Sequence, residues 1–587
     1  MKRKSGLVRS LARMLAFAGL FSVDARAAEV TLEVTGDWLQ VPVYNPGVRC
    51  KVNVFDGERN LFSFSVNECG TNAPTWYFPI HVADCRGKRL RFVHVPPAPR
   101  KGAREQRVPF ELFRFTSTAE RPANQYDEPA RPQFHFSPVV GWNNDPNGLT
   151  YYKGQWHLFY QGAPCARDHR QNFWGHAVSD DLVRWTETDP GVWPDNEGFI
   201  ASGSGVVDVE NTAGFGPGAH VLVYTRMPWV GCREWKTTQD LAYSTDGVHY
   251  TKFAGNPVLR EVTPHNRDPK VFWHAPTKRW VMFVYVGNYG EGGEKRHTFH
   301  IYNSPDLKRW ELTSVLKGDR MCDGKYFYEC PDCVELPIEG ETGRKWVVWG
   351  AGGMYAVGDF DGKAFTPDES RINPTWCGYP NFWRDRDYYA AQTFFGSPDG
   401  RTIWMPWFRL RTPDDHLFNQ GMGLPCELGL KRTAEGLRLA WKPVRELESL
   451  RTGPAQPFAA FDGELVEAFV EADAGESGEV RLNLRGAEIV WNRKAGTLTF
   501  AHRALVRAVP WKTAGGRLSL RVFVDRQGIE IFSTDGLNLL PVQAFRPDRS
   551  NGRLYAAVSG DARLLKAEAY ALRSVWRRSV PGADPVP

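Results

Sequence analysis

The chain of 587 residues lacks any stretch approaching eighteen consecutive apolar residues, so no segment reads as a membrane-spanning helix. It also lacks a basic arm or stripe. The formal charge of +6 is concentrated at the start, where Lys2, Arg3, Lys4, Arg9, Arg13 and Arg26 face only Asp24, a net of +5. The remainder therefore carries about +1, which argues against nucleic acid as a partner. Cys330 and Cys333 form a lone C-x-x-C with no second Cys or His pair at zinc spacing, so it makes a poor metal site. Aromatic residues, by contrast, are abundant: 13% of the chain, with 22 Trp. They suit an all-β core and suit stacking on the apolar faces of sugars, and alone they decide between neither.

Residues 1–27 read as an export signal: a basic start, the apolar run Met14 to Val23, then Ala25-Arg26-Ala27. Export to the periplasm or the medium is expected, with cleavage near Ala27. No Cys follows the apolar run closely enough for a lipoprotein. Export permits disulfides, and Cys50, Cys69 and Cys85 are close enough in sequence for one bridge among them.

Beyond the signal, patterning predicts three β-rich units. Residues 28–125 hold short alternating runs (Val30, Leu32, Val34; Val52, Val54; Leu90 to Val95) and then a Pro- and Lys/Arg-rich connector from Pro96. An accessory β-domain is expected there, for sugar binding or for packing. Residues 126–447 carry a loose repeat. Ser179-Asp180-Asp181-Leu182-Val183-Arg184-Trp185 returns as Ser244 to Tyr250 and Ser304 to Trp310, with weaker echoes at Gly358 to Phe365 and Gly396 to Arg401. The spacing suits four-stranded propeller blades, and five echoes predict five blades. Residues 441–450 read as a short linking helix, and residues 448–580 as a β-sandwich. The fold class predicted is thus all-β: a five-bladed propeller, then a sandwich, with a small β-domain in front.

Three acidic stretches stand out. Asn144-Asp145-Pro146-Asn147-Gly148 joins a stiff X-Pro step to a tight-turn signal, which places the Asp145 carboxylate at a sheet rim. Arg267-Asp268-Pro269 sets an Arg beside a carboxylate, which keeps it ionised and can fork onto sugar hydroxyls. Tyr328-Glu329-Cys330-Pro331 places Glu329 among aromatic and thiol side chains, and a carboxyl in apolar surroundings holds its proton longer. Each stretch alone reads as a turn or a surface ion pair. Together they fall in three different blades, 123 and then 61 residues apart, and blade turns converge on a propeller axis. Two carboxyls flanking one glycosidic bond are what sugar hydrolysis requires.

These motifs resemble glycoside hydrolase family 32, the invertases, inulinases and levanases. Trp142-Asn143-Asn144-Asp145-Pro146-Asn147-Gly148 is similar to its W-M-N-D-P-N-G, and Arg267-Asp268-Pro269 and Glu329-Cys330-Pro331 to its R-D-P and E-C-P. Phe173-Trp174-Gly175-His176-Ala177, Ser202-Gly203-Ser204, Tyr389 to Phe394 and Val524-Asp525-Arg526 through Phe532 also fit, in family order, over about residues 131–575. The resemblance implies retaining hydrolysis of β-fructofuranosides without a cofactor. It implies Asp145 as nucleophile, Glu329 as acid and then base, and Asp268 as transition-state stabiliser. Asn144, Gln161, Trp174, Ser202 and Arg267 match fructose-pocket positions. The chain departs at Asn143 (for Met) and Ala201 (for Phe), both expected to alter the pocket wall, and at Cys426 (for Arg).

The expected substrate is a fructan, levan or inulin, with sucrose as a further candidate, and exo action releasing fructose is expected. Endo cleavage, fructosyl transfer and weak fructan binding remain open at this stage.

Overall fold

In a computed structural model, residues 29–44, 49–67, 73–95, 108–122, 125–169, 173–229, 236–287, 297–317, 327–368, 387–548 and 552–576 are described. The expected signal peptide, Cys69, the start of the connector at Pro96 and the final residues lie outside them. The described residues fold mostly as strands, in a small N-terminal β-unit, a five-bladed propeller and a sandwich.

The N-terminal unit has two sheets. One orders Glu29–Glu33, Arg89–Val95, Arg49–Asp56 and Arg59–Asn67; the other orders Trp76–His81, Trp38–Val43 and Arg114–Thr116. Alternation does the work expected of it, with Leu90, Phe92, Val52 and Val54 buried between the sheets. Cys85 is a free thiol, so it bridges neither Cys of the expected set. The unit is docked firmly. Trp193 of the propeller inserts its ring against Phe62, Phe78 and Phe173, at centroid distances of 5.6, 6.3 and 5.1 Å. The Ser63 N–H donates to the Pro194 carbonyl at 2.9 Å.

The innermost strands of the five blades are Gly141–Tyr152, Phe199–Asp208, Asn266–His274, Asp332–Pro337 and Tyr388–Thr393. Four of the five repeat echoes mark one turn, between the third and fourth strands of blades I to IV. Asp181, Asp246, Asp306 and Asp361 each accept two backbone N–H groups two and three residues on, as in Val183 and Arg184 at 3.0 and 2.7 Å from Asp181. The fifth echo is different. Asp399 lies between the first two strands of blade V, Tyr388–Thr393 and Ile403–Phe408. The blade count is right, but that copy is not a structural repeat. Trp441 to Pro443 also differ from expectation, because they finish the outer strand Gly436–Pro443; only Arg445–Leu450 is helical, as a 3₁₀ segment.

Hydrogen bonds and one ion pair join the blades in a closed ring around the axis. The Gly203 N–H donates to Asn147 Oδ1 (3.0 Å), and Ser204 Oγ donates to the Pro269 carbonyl (2.8 Å). Lys270 Nζ pairs with Asp332 (2.9 Å), and the Thr393 N–H donates to that same Asp332 (2.7 Å). The Tyr151 N–H donates to the Phe395 carbonyl (2.8 Å), returning to blade I. Blade I is finished by a distant segment: Phe418–Asn419 runs parallel to Gly141 and Trp142.

The sandwich packs a six-stranded sheet on a five-stranded one. Its junction with the propeller is buried, with a polar group set in an apolar contact of Phe523 and Phe532 against Phe134, Phe408 and Leu410. His135 Nδ1 lies 2.8 Å from Asp525 and its Nε2 lies 2.7 Å from Glu530. Burial opposes the charged imidazole, but the two carboxylates more than offset that and push its pKa up to about 9.

Candidate active site

The blades' inner strands are not regular where they reach the axis. Strand register slips between Asn143 and Pro146 in blade I, Ala201 and Gly203 in blade II, Arg267 and Lys270 in blade III, and Tyr389 and Gln392 in blade V. Blade IV does the same thing with backbone angles. Glu329 and Cys330 have φ of 53° and 39° just before its strand, matching φ of 62° at Asp268 and 50° at Ala390. Non-glycine residues hold that region only at a cost of about 1–2 kcal/mol each. Register slips in blades I and II, and left-handed backbone in blades III to V, re-aim one residue per blade at the axis: Asp145, Ser202, Asp268, Cys330 and Ala390. Gly203 permits the slip in blade II, since a Cβ there would sit 2.0 Å from the Val223 carbonyl oxygen.

Cys330 is the hub of this inner ring. Its Sγ lies 3.8 Å from Asp145 Oδ2, and its N–H donates to Asp268 Oδ2 at 3.1 Å. Ser202 Oγ donates to Asp145 Oδ2 at 2.7 Å. Trp142 Nε1 donates to Asn144 Oδ1 at 2.9 Å, fixing the amide beside the carboxylate. Arg267 grips Glu329 Oε1 through Nη2 (2.6 Å) and Nε (3.2 Å), and Tyr389 Oη donates to Glu329 Oε2 at 2.5 Å. The guanidinium also stands 3.8 Å from Asp268 and 4.6 Å from the Tyr285 ring centroid.

The three acids are therefore brought together, with Asn144, Ser202 and Arg267 around them. They differ in access. Asp145 and Glu329 are partly open to solvent, whereas Asp268 is only 4% exposed. Burial raises the Asp145 pKa, and hydrogen bonds from Ser202 and Asn144 act against it. Burial pushes Asp268 up to about 7, so the neighbouring Arg267, expected to keep it ionised, opposes burial without overcoming it, and Glu329 and Asp145 reinforce the rise. The surroundings of Glu329 are a correction to the expected apolar niche: it sits between a guanidinium and a tyrosine hydroxyl.

Two expected wall residues lie further back. Gln161, 3% exposed, stands across the strand from the Asn144–Asp145 bulge. Trp174 stands one strand beyond, opposite Gln161, and is fully buried against Phe159, Ile200 and Tyr224. Its Nε1 donates to the Ala201 carbonyl at 3.1 Å. A ring with no exposed surface supports the strand of Ser202 and cannot line an open pocket. Asn143 is likewise no wall residue. It is buried, and its amide, turned to satisfy both acceptors, donates to the Asn419 and Gln420 carbonyls at 3.3 and 3.1 Å. Cys426 is enclosed in the core behind blade V, its Sγ donating to the Leu424 carbonyl. Cys330, Tyr389 and His169 were not expected at the site. Cys330 and Tyr389 lie inside motifs that had been noted, so adjacency was the available signal; His169 carried none.

The family model for the glycosyl hydrolases family 32 N-terminal domain matches residues 135–443. The chain belongs to glycosyl hydrolase family 32. It is thus a glycoside hydrolase. A levanase of Bacillus subtilis is 34% identical over 509 residues, covering 77% of this chain and 72% of that one. An extracellular exo-inulinase of Aspergillus awamori is 29% identical over 536 residues, covering 77% and 96%. The crystal structure of an Aspergillus awamori exo-inulinase superposes with a TM-score of 0.67 at 26% identity, covering 77% of this chain and all of that one. The three-acid arrangement at the axis is what this family member offers for chemistry.

The Asp268 value carries a prediction. A buried carboxyl whose folded pKa lies above its unfolded value stabilises fully below pH 3.8, and that contribution is lost as pH rises toward 7. Each pH unit is worth about 1.4 kcal/mol. Asp268→Asn should therefore unfold at higher denaturant than wild type at pH 8, with the gain shrinking steadily toward pH 4. Equal midpoints at pH 8 would contradict this account.

Proposed function

We propose that this chain is an exported retaining β-fructofuranosidase that hydrolyses a fructan, levan or inulin, releasing fructose from the chain end, and that also turns over sucrose. The observation that carries the reading is the differing access of the three acids: two reachable carboxyls, Asp145 and Glu329, with Asp268 enclosed between them. The levanase and exo-inulinase relatives support the substrate class. In this reading Asp145 attacks the anomeric carbon and forms a fructosyl ester. Glu329, held by Arg267 and Tyr389, gives a proton to the leaving oxygen and then takes one from the water that resolves the ester. Asp268 accepts fructose hydroxyls and stabilises the oxocarbenium-like charge, and Asn144, Ser202, Arg267 and Gln161 hold the ring. Asp145 and Glu329 would act at roughly 5–5.5 Å separation.

Export is supported by the basic-apolar-A-x-A start and by the extracellular relative. Within the chain we assign residues 28–125 to the accessory unit, 126–447 to the catalytic propeller and 448–580 to the sandwich. The test is a product profile from protein lacking residues 1–27 on levan, inulin and sucrose separately. Fructose as the sole early product from a polymer is expected. A ladder of oligosaccharides would replace exo with endo action, longer chains from sucrose would mean transfer, and no product from any of the three would overturn the reading.

A further inference from the structure

The N-terminal unit reaches the propeller close to the site through Trp76. Trp76 ends a strand pair of that unit, Trp76–His81 on Trp38–Val43, and is 4% exposed. Its Nε1 donates to the Pro164 carbonyl at 3.0 Å. Its ring shares a small apolar cluster with Val43 and with Cys165, the residue after Pro164. Pro164 opens a segment with no strand partner of its own, running to His169.

That segment is gripped a second time, by residues 414–419. Arg167 Nε donates to the Phe418 carbonyl (3.2 Å) and its Nη1 to the Asp414 carbonyl (3.0 Å). Asn419 Nδ2 returns a bond to the Arg167 carbonyl (2.7 Å). Between the two grips the backbone has little freedom, and at its end His169 meets the Trp142 indole edge-on, with centroids 6.1 Å apart. Trp142 is the ring whose N–H holds Asn144 beside Asp145. A continuous line of contacts thus joins the accessory unit to the attacking carboxylate: Trp76, Pro164, His169, Trp142, Asn144, Asp145.

We infer that the N-terminal unit is a buttress of the catalytic pocket, with Trp76 a positioning residue that acts through the Pro164–His169 segment to set His169 and Trp142 at the pocket rim. The unit's role is then in the site's geometry rather than in tethering the enzyme to a polymer. Four features agree. The indole bond is buried and directed at a loop carbonyl, which would otherwise be left without a donor. The Trp193 plug makes the unit a fixed body. The gripped loop is exposed at its far end, where Asp168 and His169 reach solvent. And His169 is close enough to Asp145 to hold its carboxyl lower than burial alone would.

The inference rests on Asp145 as the attacking group, so the test has one readout in activity and one apart from it. Cys165 is buried and its thiol is pushed up to about 12 by burial, so it should resist alkylation in the native protein. Trp76→Phe keeps an aromatic ring, smaller than the indole, and removes the N–H. Native-state alkylation of Cys165, followed by peptide mass mapping, should quicken at least tenfold. On whichever sugar the wild type cleaves, kcat/KM should fall about tenfold, mostly through KM, a fold-change that matches one lost buried hydrogen bond. The acid limb of the kcat/KM profile should move to higher pH. The groups facing Asp145 there are Glu329, Asp268, Cys330, Arg267 and His169, and only the last is displaced. In a His169→Ala background, Trp76→Phe should add almost nothing to the kinetic loss.

Faster Cys165 labelling with unchanged KM and pH profile would overturn the inference, as would additive losses in the double variant or a Trp76→Phe protein identical to wild type in every readout. Should Trp76→Phe not accumulate folded, Val43→Ala loosens the same cluster and is judged by the same criteria. A wild type silent on every sugar would fail the catalytic reading instead, while the Cys165 result would still report on the grip.

Discussion

Asp145→Asn should lower turnover by roughly 10⁴-fold or more, the scale seen when a covalent nucleophile is removed from a site that otherwise stays assembled. The substitution is nearly isosteric. Its amide oxygen can still accept from Ser202 Oγ, which donates to the carboxylate at 2.7 Å, and the bulge that aims residue 145 is set by Pro146 and the strand register rather than by charge. Folding should therefore be untouched. Stability should hold or rise slightly, because a carboxyl that burial disfavours is replaced by a neutral group. The checks are initial rates on levan and inulin alongside a thermal midpoint. Residual activity above about a tenth of wild type, with a normal midpoint, would remove Asp145 from the covalent step.

Lys270→Met should cost about 3–5 kcal/mol, the usual penalty for stranding one member of a buried ion pair. Lys270 is 6% exposed and Asp332 is fully buried. The ammonium also donates to the Thr393 carbonyl and hydroxyl at 2.8 and 3.0 Å. One cation thus joins blades III, IV and V. Neutralising the partner as well, in Lys270→Met/Asp332→Asn, should restore most of the loss, since the Thr393 N–H keeps an acceptor while the unpaired charge is gone. Activity should not recover in step. Lys270 is two residues past Asp268 and Asp332 three past Glu329, so the pair sets the spacing of those two acids. Denaturant midpoints and kcat on the same three proteins check both halves. Full recovery of kcat with stability would show that the pair holds the fold alone.

Much of this was legible because a propeller concentrates its chemistry in short local motifs. Asp145-Pro146, Asp268-Pro269 and Cys330-Pro331 each announce a forced backbone step, and the fold brings such steps to one axis. What failed was reasoning about direction. Trp174 sits inside a matched motif, yet strand pairing places it behind Gln161, one strand away from the bulge. Asn143 lies two residues before the proposed nucleophile, where strand alternation would put both on one face, but the register slip that follows it breaks the alternation and leaves its amide on the closing segment. The apolar setting expected for Glu329 read only its chain neighbours; Arg267 and Tyr389 arrive from other blades, at a distance of about sixty residues each way. The fifth repeat echo misled for the opposite reason, since a Ser-x-Asp turn is stable wherever a chain must reverse. His169 carried no local signal because its place depends on grips at Trp76 and Arg167.

The pairing of Phe418–Asn419 with Gly141 and Trp142 has a consequence for how the enzyme is made. The strand that bears Asp145 stays an open edge until more than 270 further residues have left the ribosome. During that interval blade I has an unpaired flank beside an aromatic-rich sheet, the kind of surface that recruits other chains. Closing it needs contacts between residues very distant in sequence, which folds slowly. On the proposed export route that delay is an advantage, because the pocket cannot assemble before the last blade has been delivered to the same side of the membrane. A chain interrupted ahead of Phe418 would be left with its reactive residue on a sticky margin, exposed to aggregation and proteolysis rather than to substrate.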